Sequence, residues 1–264
     1  MPTIAQSLDE GFKKAFGIEE IHDFFRGGQK LVFIVSRNGK KQALKLFVNF
    51  GKRDLRELNI YEQFKSLDGI PKIISIENYQ NDKVVFEEFI EGSSLHSIAS
   101  TFAGNALKIA ELLKKICITM QPIWADKKVH RDLKPNNIMI RPGGSPVIID
   151  FGIALDMDGT TYTDTGFQPN SWDFCSPEQF LGQKDLVDYR SDFFSLGLIG
   201  FYLHHQRLPF ASTQQDLNKI YRSKQLQYSP ETDCKLIPFF QEILKFNPSE
   251  RPRSVEKLIE LLPT

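Results

Sequence analysis

Residues 129–140 read VHRDLKPNNIMI: an aspartate between an arginine and a lysine close by, then a proline and two asparagines, with apolar residues at both ends. Polar groups set this densely inside apolar flanks need a use, because burying them unpaired costs more than a core of that length returns. Downstream, Val147-Ile148-Ile149 reads as a short apolar strand and Asp150 follows it directly. Asp132, Asn137 and Asp150 thus gather three oxygen donors on one loop and one strand end. Phosphoryl transfer from a nucleotide asks for this set: an acid that orients or deprotonates the attacking hydroxyl, and hard oxygen ligands for magnesium. Lys134 falls beside the phosphate in transit.

Working outward, 264 residues with 41% hydrophobic content suffice for one large domain or two lobes. Lys plus Arg and Asp plus Glu are equal at 33 each, so no overall field points to nucleic acid or an anionic membrane as partner. Cys117, Cys175 and Cys234 are few, odd in number and far apart, which predicts reduced thiols; none has metal-ligand spacing. The N-terminus lacks the apolar core of a secretory signal, and no run approaches the roughly 20 apolar residues of a membrane span. A soluble, cytoplasmic protein is expected.

Two regions differ in pattern. Residues 28 to 90 carry strand-like runs, KLVFIV, KQALKLF and KVVFEEFI, the first two joined through Asn38-Gly39, a favoured hairpin turn. RDLRELNIYEQFKSL supplies the one good helix of that half, with Leu58, Tyr61 and Phe64, or Leu55 and Leu58, on its inner face. Beyond Glu91-Gly92 the pattern is helical in ALKIAELLKKICITMQPIWA, SDFFSLGLIGFYLHH and IPFFQEILKF, interrupted by the hairpin-like NIMIRPGGSPVIID. The expected division is 1–90 and 91–264, with a ligand in a cleft between the lobes.

HRDLKPNN together with DFG at 150–152 resembles the catalytic loop and metal-binding motif of the eukaryotic-type protein kinases, serine/threonine kinase-like. Further motifs occur in that family's order along nearly the whole chain. The resemblance implies an α+β, bilobal fold: a small antiparallel-sheet N-lobe with one main helix and a larger, mostly helical C-lobe, together one kinase domain over 1–264. It implies that Lys45 in KKQALKL holds the α- and β-phosphates, that Glu57 pairs with it, and that Ala43, Glu88 and Met139 line the adenine site. Asp132 would orient the hydroxyl, Lys134 steady the phosphate, and Asn137 and Asp150 hold the metal. His130 would pack with Phe151, Asp192 brace the catalytic loop, and Arg251 pair with Glu178 of CSPEQF.

The glycine-rich phosphate loop departs from the pattern. FFRGGQKLVFIV offers only Gly27 and Gly28 as phosphate contacts, with Phe25 and Lys30 replacing the first and third glycines. Either Lys30 brings a charge near the phosphates, or the segment is a plain strand-connecting turn. Glu87, before the hinge-like EF, would be a buried acid in need of a partner. Read alone, Lys45 is also compatible with a solvated edge lysine, Glu57 with a surface pair to Arg53, Asp150 with a turn residue and Asp192 with a helix cap worth about 1 kcal/mol.

These readings predict an ATP- and magnesium-dependent enzyme, with manganese an acceptable substitute, that phosphorylates protein Ser/Thr hydroxyls. Lys134, and Ser171 where the family has a threonine, support that acceptor class. Thr160, Thr161, Thr163 and Thr165 are candidate phosphorylation sites, and a regulatory partner protein is expected. The rival readings are a nucleotide-binding pseudokinase scaffold and a small-molecule kinase.

Overall fold

A computed structural model describes residues 8–26, 30–47, 50–151, 155–156, 172–211, 213–228 and 234–264. Gly27, Gly28, Ser171, Thr160, Thr161, Thr163 and Thr165 lie outside the described residues. The chain divides into two compact units, Met1–Ser66 with Ile70–Ile90, and Leu67–Gly69 with Glu91–Thr264.

The first unit runs α1 (Glu10–Phe16), β1 (Ile18–Arg26), β2 (Lys30–Arg37), β3 (Lys40–Phe47), α2 (Lys52–Gln63), β4 (Ile73–Tyr79) and β5 (Asp82–Glu88). The strands form one antiparallel sheet in the order β1-β2-β3-β5-β4. Asn38 and Gly39 both have positive φ, 54° and 68°, the geometry that a two-residue hairpin turn requires. Strand alternation then sorts the side chains. Phe33, Val35, Leu44, Leu46, Val84 and Phe86 form one apolar cluster with Phe12 and Phe16 of α1. Lys45, Phe47, Val85 and Glu87, one residue out of phase, face the other way, where Phe47 and Val85 pack with Leu58 of α2.

Helix α1 is a second helix where only α2 was expected. Its punctuation is local: the Asp9 carboxylate accepts from Phe12 N–H at 2.7 Å, and Gly17 closes it at φ 63°. In α2 and its C-cap, Leu58, Ile60, Tyr61 and Phe64 are buried, whereas Leu55 is half exposed, so the inner face is the Leu58/Tyr61/Phe64 one.

The second unit runs β6 (Ser93–Ser94), α3 (Ala106–Ala125), β7 (Lys128–Val129), β8 (Ile138–Ile140), β9 (Pro146–Ile148), β10 (Leu155–Asp156), α4 (Pro177–Phe180), α5 (Tyr189–His205), α6 (Gln214–Ser223), α7 (Ile237–Ile243) and α8 (Val255–Glu260). Strands β6, β8 and β9 form a small sheet, and β10 pairs with β7. Helix α5 is buried on every side from Ser191 to Phe201 and packs on α3 and α7. A Cβ on Gly197 would stand 2.7 Å from the side chains of Ile243 and Leu244, so its absence sets how closely α7 approaches. Gly92 is constrained twice: φ is 131°, and a Cβ would meet the Ile140 carbonyl oxygen at 2.0 Å. Among the described residues no helix is long and apolar enough to cross a membrane. The architecture is thus α+β, a five-stranded antiparallel unit and a mostly helical one.

Candidate active site

In the second unit the loop after β7 is held from beneath by a single acid. Asp192, in the first turn of α5, is fully buried and accepts from Trp124 Nε1 at 2.8 Å, from His130 N–H at 2.8 Å and from Arg131 N–H at 2.9 Å. Burial raises its carboxyl above the ordinary aspartate range, against the opposing pull of His130 and these donors. The two backbone bonds hold a turn the chain would otherwise avoid, since Arg131 has φ 69° and a non-glycine residue there costs on the order of 1–3 kcal/mol.

His130 is fully buried with its ring 4.5 Å from that of Phe151. Its Nδ1 accepts from Asp132 N–H at 3.2 Å, which leaves Nε2 to donate to the Ile149 carbonyl at 3.3 Å. Both nitrogens are engaged with backbone, a packing and positioning arrangement.

Asp132 Oδ2 accepts from Lys134 Nζ and from Asn137 Nδ2, each at 2.9 Å, while no described residue donates to its Oδ1. Asn137 also donates through Nδ2 to the Asp132 carbonyl at 2.9 Å. Its amide nitrogen is committed twice, and its Oδ1 is the atom left for a cation. The Asn137 carbonyl accepts from Ile149 N–H at 2.9 Å, and β8 and β9 pair Ile138 with Ile148. Asp150, at φ 67°, therefore follows directly on the residue bonded to Asn137. Met139 lies on β8 between Ser94 and Val147.

Helix α4 ties down the far side. Gln179 Nε2 donates to the Arg131 carbonyl at 2.8 Å. Glu178 makes a two-pronged pair with Arg251, 2.7 Å and 2.8 Å, with both side chains buried. Arg251 spends its remaining N–H groups on the carbonyls of Lys245, Arg190 and Phe246, and Ser191 Oγ donates to Glu178 Oε1 at 2.6 Å. The Cys175 thiol is buried and pushed well above the usual thiol range, chiefly by that burial, which makes it unreactive.

In the first unit Lys45 is 6% exposed, not a solvated edge lysine. Its Nζ donates to Glu57 Oε1 at 2.8 Å and to Tyr61 OH at 3.2 Å, and lies 2.9 Å from Glu87 Oε2. Glu57 is 1% exposed and takes a second lysine: Lys30 Nζ reaches both its oxygens at 2.9 Å. Lys30, read either as a charge near the phosphates or as part of a plain turn, is thus a second partner of the carboxylate that pairs with Lys45. Glu87 has Lys45 as its partner, yet its Oε1 is buried with no hydrogen bond, and desolvation raises its carboxyl in spite of Lys45. Ala43 stands opposite Glu87 in the β3–β5 register, and Glu88 opposite Gln42.

The first unit therefore brings together Ala43, Lys45, Glu57, Glu87 and Glu88, and the second Asp132, Lys134, Asn137, Met139 and Asp150. Three participants escaped the sequence reading. Tyr61 was read only as apolar, although it is one turn after Glu57; Lys30 was read as a charge near the phosphates or as part of a plain turn, not as a partner of Glu57; and Asp173, whose carboxyl burial raises against the opposing charge of Lys134, had no motif to signal it.

The sequence profile described as protein kinase domain matches residues 28–260. The chain is 30% identical over 188 residues to serine/threonine-protein kinase pkn3 of Myxococcus xanthus, covering 64% of this chain and 34% of that protein. It is 29% identical over 196 residues to serine/threonine-protein kinase PknA of Mycobacterium tuberculosis, covering 70% and 45%. To serine/threonine-protein kinase D of Synechocystis it is 29% identical over 201 residues, covering 73% and 38%. The matches thus span less than half the length of these relatives.

Proposed function

The chain belongs to the protein kinase family, and on that premise we propose that it is one kinase domain, N-lobe 1–90 and C-lobe 91–264, that transfers the γ-phosphate of ATP to serine or threonine hydroxyls of a protein. The observation that carries this reading is the Asp132 carboxylate, whose Oδ2 is fixed by Lys134 and Asn137 while Oδ1 accepts no bond from a described residue. Asp132 Oδ1 receives the substrate hydroxyl and draws its proton as the oxygen attacks; Lys134 neutralises charge on the phosphate as it moves.

Asn137 Oδ1 and the Asp150 carboxylate suit a hard divalent cation, because the amide nitrogen of Asn137 is already spent on Asp132. Magnesium, when bound there, supplies charge neutralisation on the β- and γ-phosphates. Lys45, oriented by Glu57, holds the α- and β-phosphates, and Ala43, Glu88 and Met139 line the adenine.

A protein acceptor is favoured over a metabolite by the buried Glu178–Arg251 pair and by the Ser/Thr kinase names of the relatives. The free cysteines support a reducing, cytoplasmic compartment, and control by phosphorylation or by a partner protein fits the threonines at 160–165.

Mass spectrometry of the chain incubated with Mg-ATP and a mixed Ser/Thr peptide pool tests the reading. Phosphate is expected on Ser/Thr and absent with Asp132→Ala, whose circular dichroism should match the wild type. Equal phosphorylation by Asp132→Ala, or none by either protein, overturns it.

A further inference from the structure

Helix α5 ends in two adjacent histidines, His204 and His205, and Cys234 lies in the segment leading into α7. A ring nitrogen of each histidine and the Cys234 sulfur lie within 4.8 Å of one another. Adjacent helical residues point about 100° apart, yet these imidazole centroids are 4.5 Å apart, so the rings converge instead of splaying. His204 is 8% exposed, and its Nδ1 has no hydrogen-bond partner among the described residues. Cys234 is 6% exposed. Phe201 lies 4.3 Å from the His205 ring and Phe240 6.4 Å, an apolar wall of the kind that shields a metal from water.

We propose that His204, His205 and Cys234 bind a single zinc ion. Two imidazoles and a thiolate are too soft a set for magnesium or calcium and match the nitrogen and sulfur preference of zinc. With Zn–N of about 2.0 Å and Zn–S of about 2.3 Å, tetrahedral ligand atoms stand roughly 3.3–3.6 Å apart, a closure within reach of side-chain rotation. Binding forms one Zn–S bond and two Zn–N bonds; the thiol proton passes to solvent, the imidazoles stay neutral, and water fills the fourth position. No sequence spacing announces the site, because two elements distant in sequence supply its ligands. It also lies apart from the chemistry above: a little over three turns of α5, about 18 Å, separate His204 from Asp192.

The test is titration of the metal-stripped chain with zinc, and with cobalt(II) as a spectroscopic probe. One equivalent of zinc should survive gel filtration, and the cobalt form should show a thiolate charge-transfer band and the visible bands of a four-coordinate ion. His204→Ala and Cys234→Ser should each weaken zinc binding by more than the ~10–100-fold that losing an outer-shell partner costs, while Cys117→Ala binds as the wild type does. Wild-type protein that retains no stoichiometric zinc, or variants that bind as tightly as wild type, overturn the proposal. Should the variants not fold when metal-free, as judged by circular dichroism, the wild-type cobalt spectrum decides: absence of the thiolate band is fatal.

Discussion

Lys45 has three N–H bonds to give, and Glu57, Tyr61 and Glu87 surround it at 2.8, 3.2 and 2.9 Å. Holding a phosphate means exchanging one of these. Glu87 is the partner most readily given up, since its carboxylate is desolvated, its Oε1 is unbonded, and burial outweighs Lys45 in setting its protonation. Glu87→Gln removes the competing charge, so KM for ATP should fall by roughly tenfold if the lost charged hydrogen bond is worth about 1.5 kcal/mol. Steady-state kinetics read this directly, and an unchanged or higher KM would mean that Glu87 does not compete. The same carboxyl has a pH signature. Because its folded pKa is raised, the unfolded chain ionises Glu87 first as pH climbs past about 4.3. The folded state then holds the extra proton, and stability falls with rising pH through the interval up to the folded pKa. Urea midpoints from about pH 4 to about pH 8 should therefore show the wild type losing stability relative to Glu87→Gln as pH rises; a difference flat in pH would contradict the raised value.

Between elements, the join of α4 to the segment before α8 depends on Arg251, with all five of its N–H groups bonded and its side chain excluded from water. Arg251→Ala leaves Glu178 buried with a charge and, among the described residues, Ser191 Oγ as its remaining hydrogen-bond donor, which should cost about 3–5 kcal/mol. Arg251→Lys should recover little of that, because an ammonium lacks the fork that meets two carboxylate oxygens. Chemical denaturation of both variants measures it, and a loss near zero in either would show that the pair is dispensable. This join was readable from the chain, as were α3, whose apolar run gives its ends, and the β2–β3 hairpin, whose Asn38-Gly39 admits few other conformations. Other elements were harder. Helix α1 carries only seven residues, and its signals, Asp9, Gly17 and the Phe12/Phe16 pair, are too few to separate from an irregular terminus before the apolar sheet face they cover is known. Strand β4 alternates intermediate and exposed positions and so shows little apolar pattern. The hydrogen-bonded set of the loop after β7, Asp132, Lys134 and Asn137, was legible because its members are close in sequence. The second lysine on Glu57 and the His204/His205/Cys234 cluster were not, because such contacts arise only when separate elements pack.

At the scale of the molecule, each unit carries a polar network, with Lys30, Lys45, Glu57 and Glu87 in one and Asp132, Lys134, Asn137 and Asp192 in the other. The proposed reaction requires both to act on the same nucleotide, and this makes a thermodynamic prediction. Lys45→Met and Asp150→Asn should each lower kcat/KM for ATP by about 10²–10³-fold, the scale of removing one preorganised charge from a transition state. Were the two residues engaged in separate events, the double variant would lose the product of the two factors. If both act on one triphosphate, the first loss already forfeits most of what the second residue contributes, and the double variant should sit close to the worse single one. Measuring kcat/KM for the four proteins at saturating magnesium decides between these outcomes, with thermal melts confirming that all four are folded. Strict multiplicativity would separate Lys45 from the chemistry at Asp150 and leave the ion network of the first unit a structural feature.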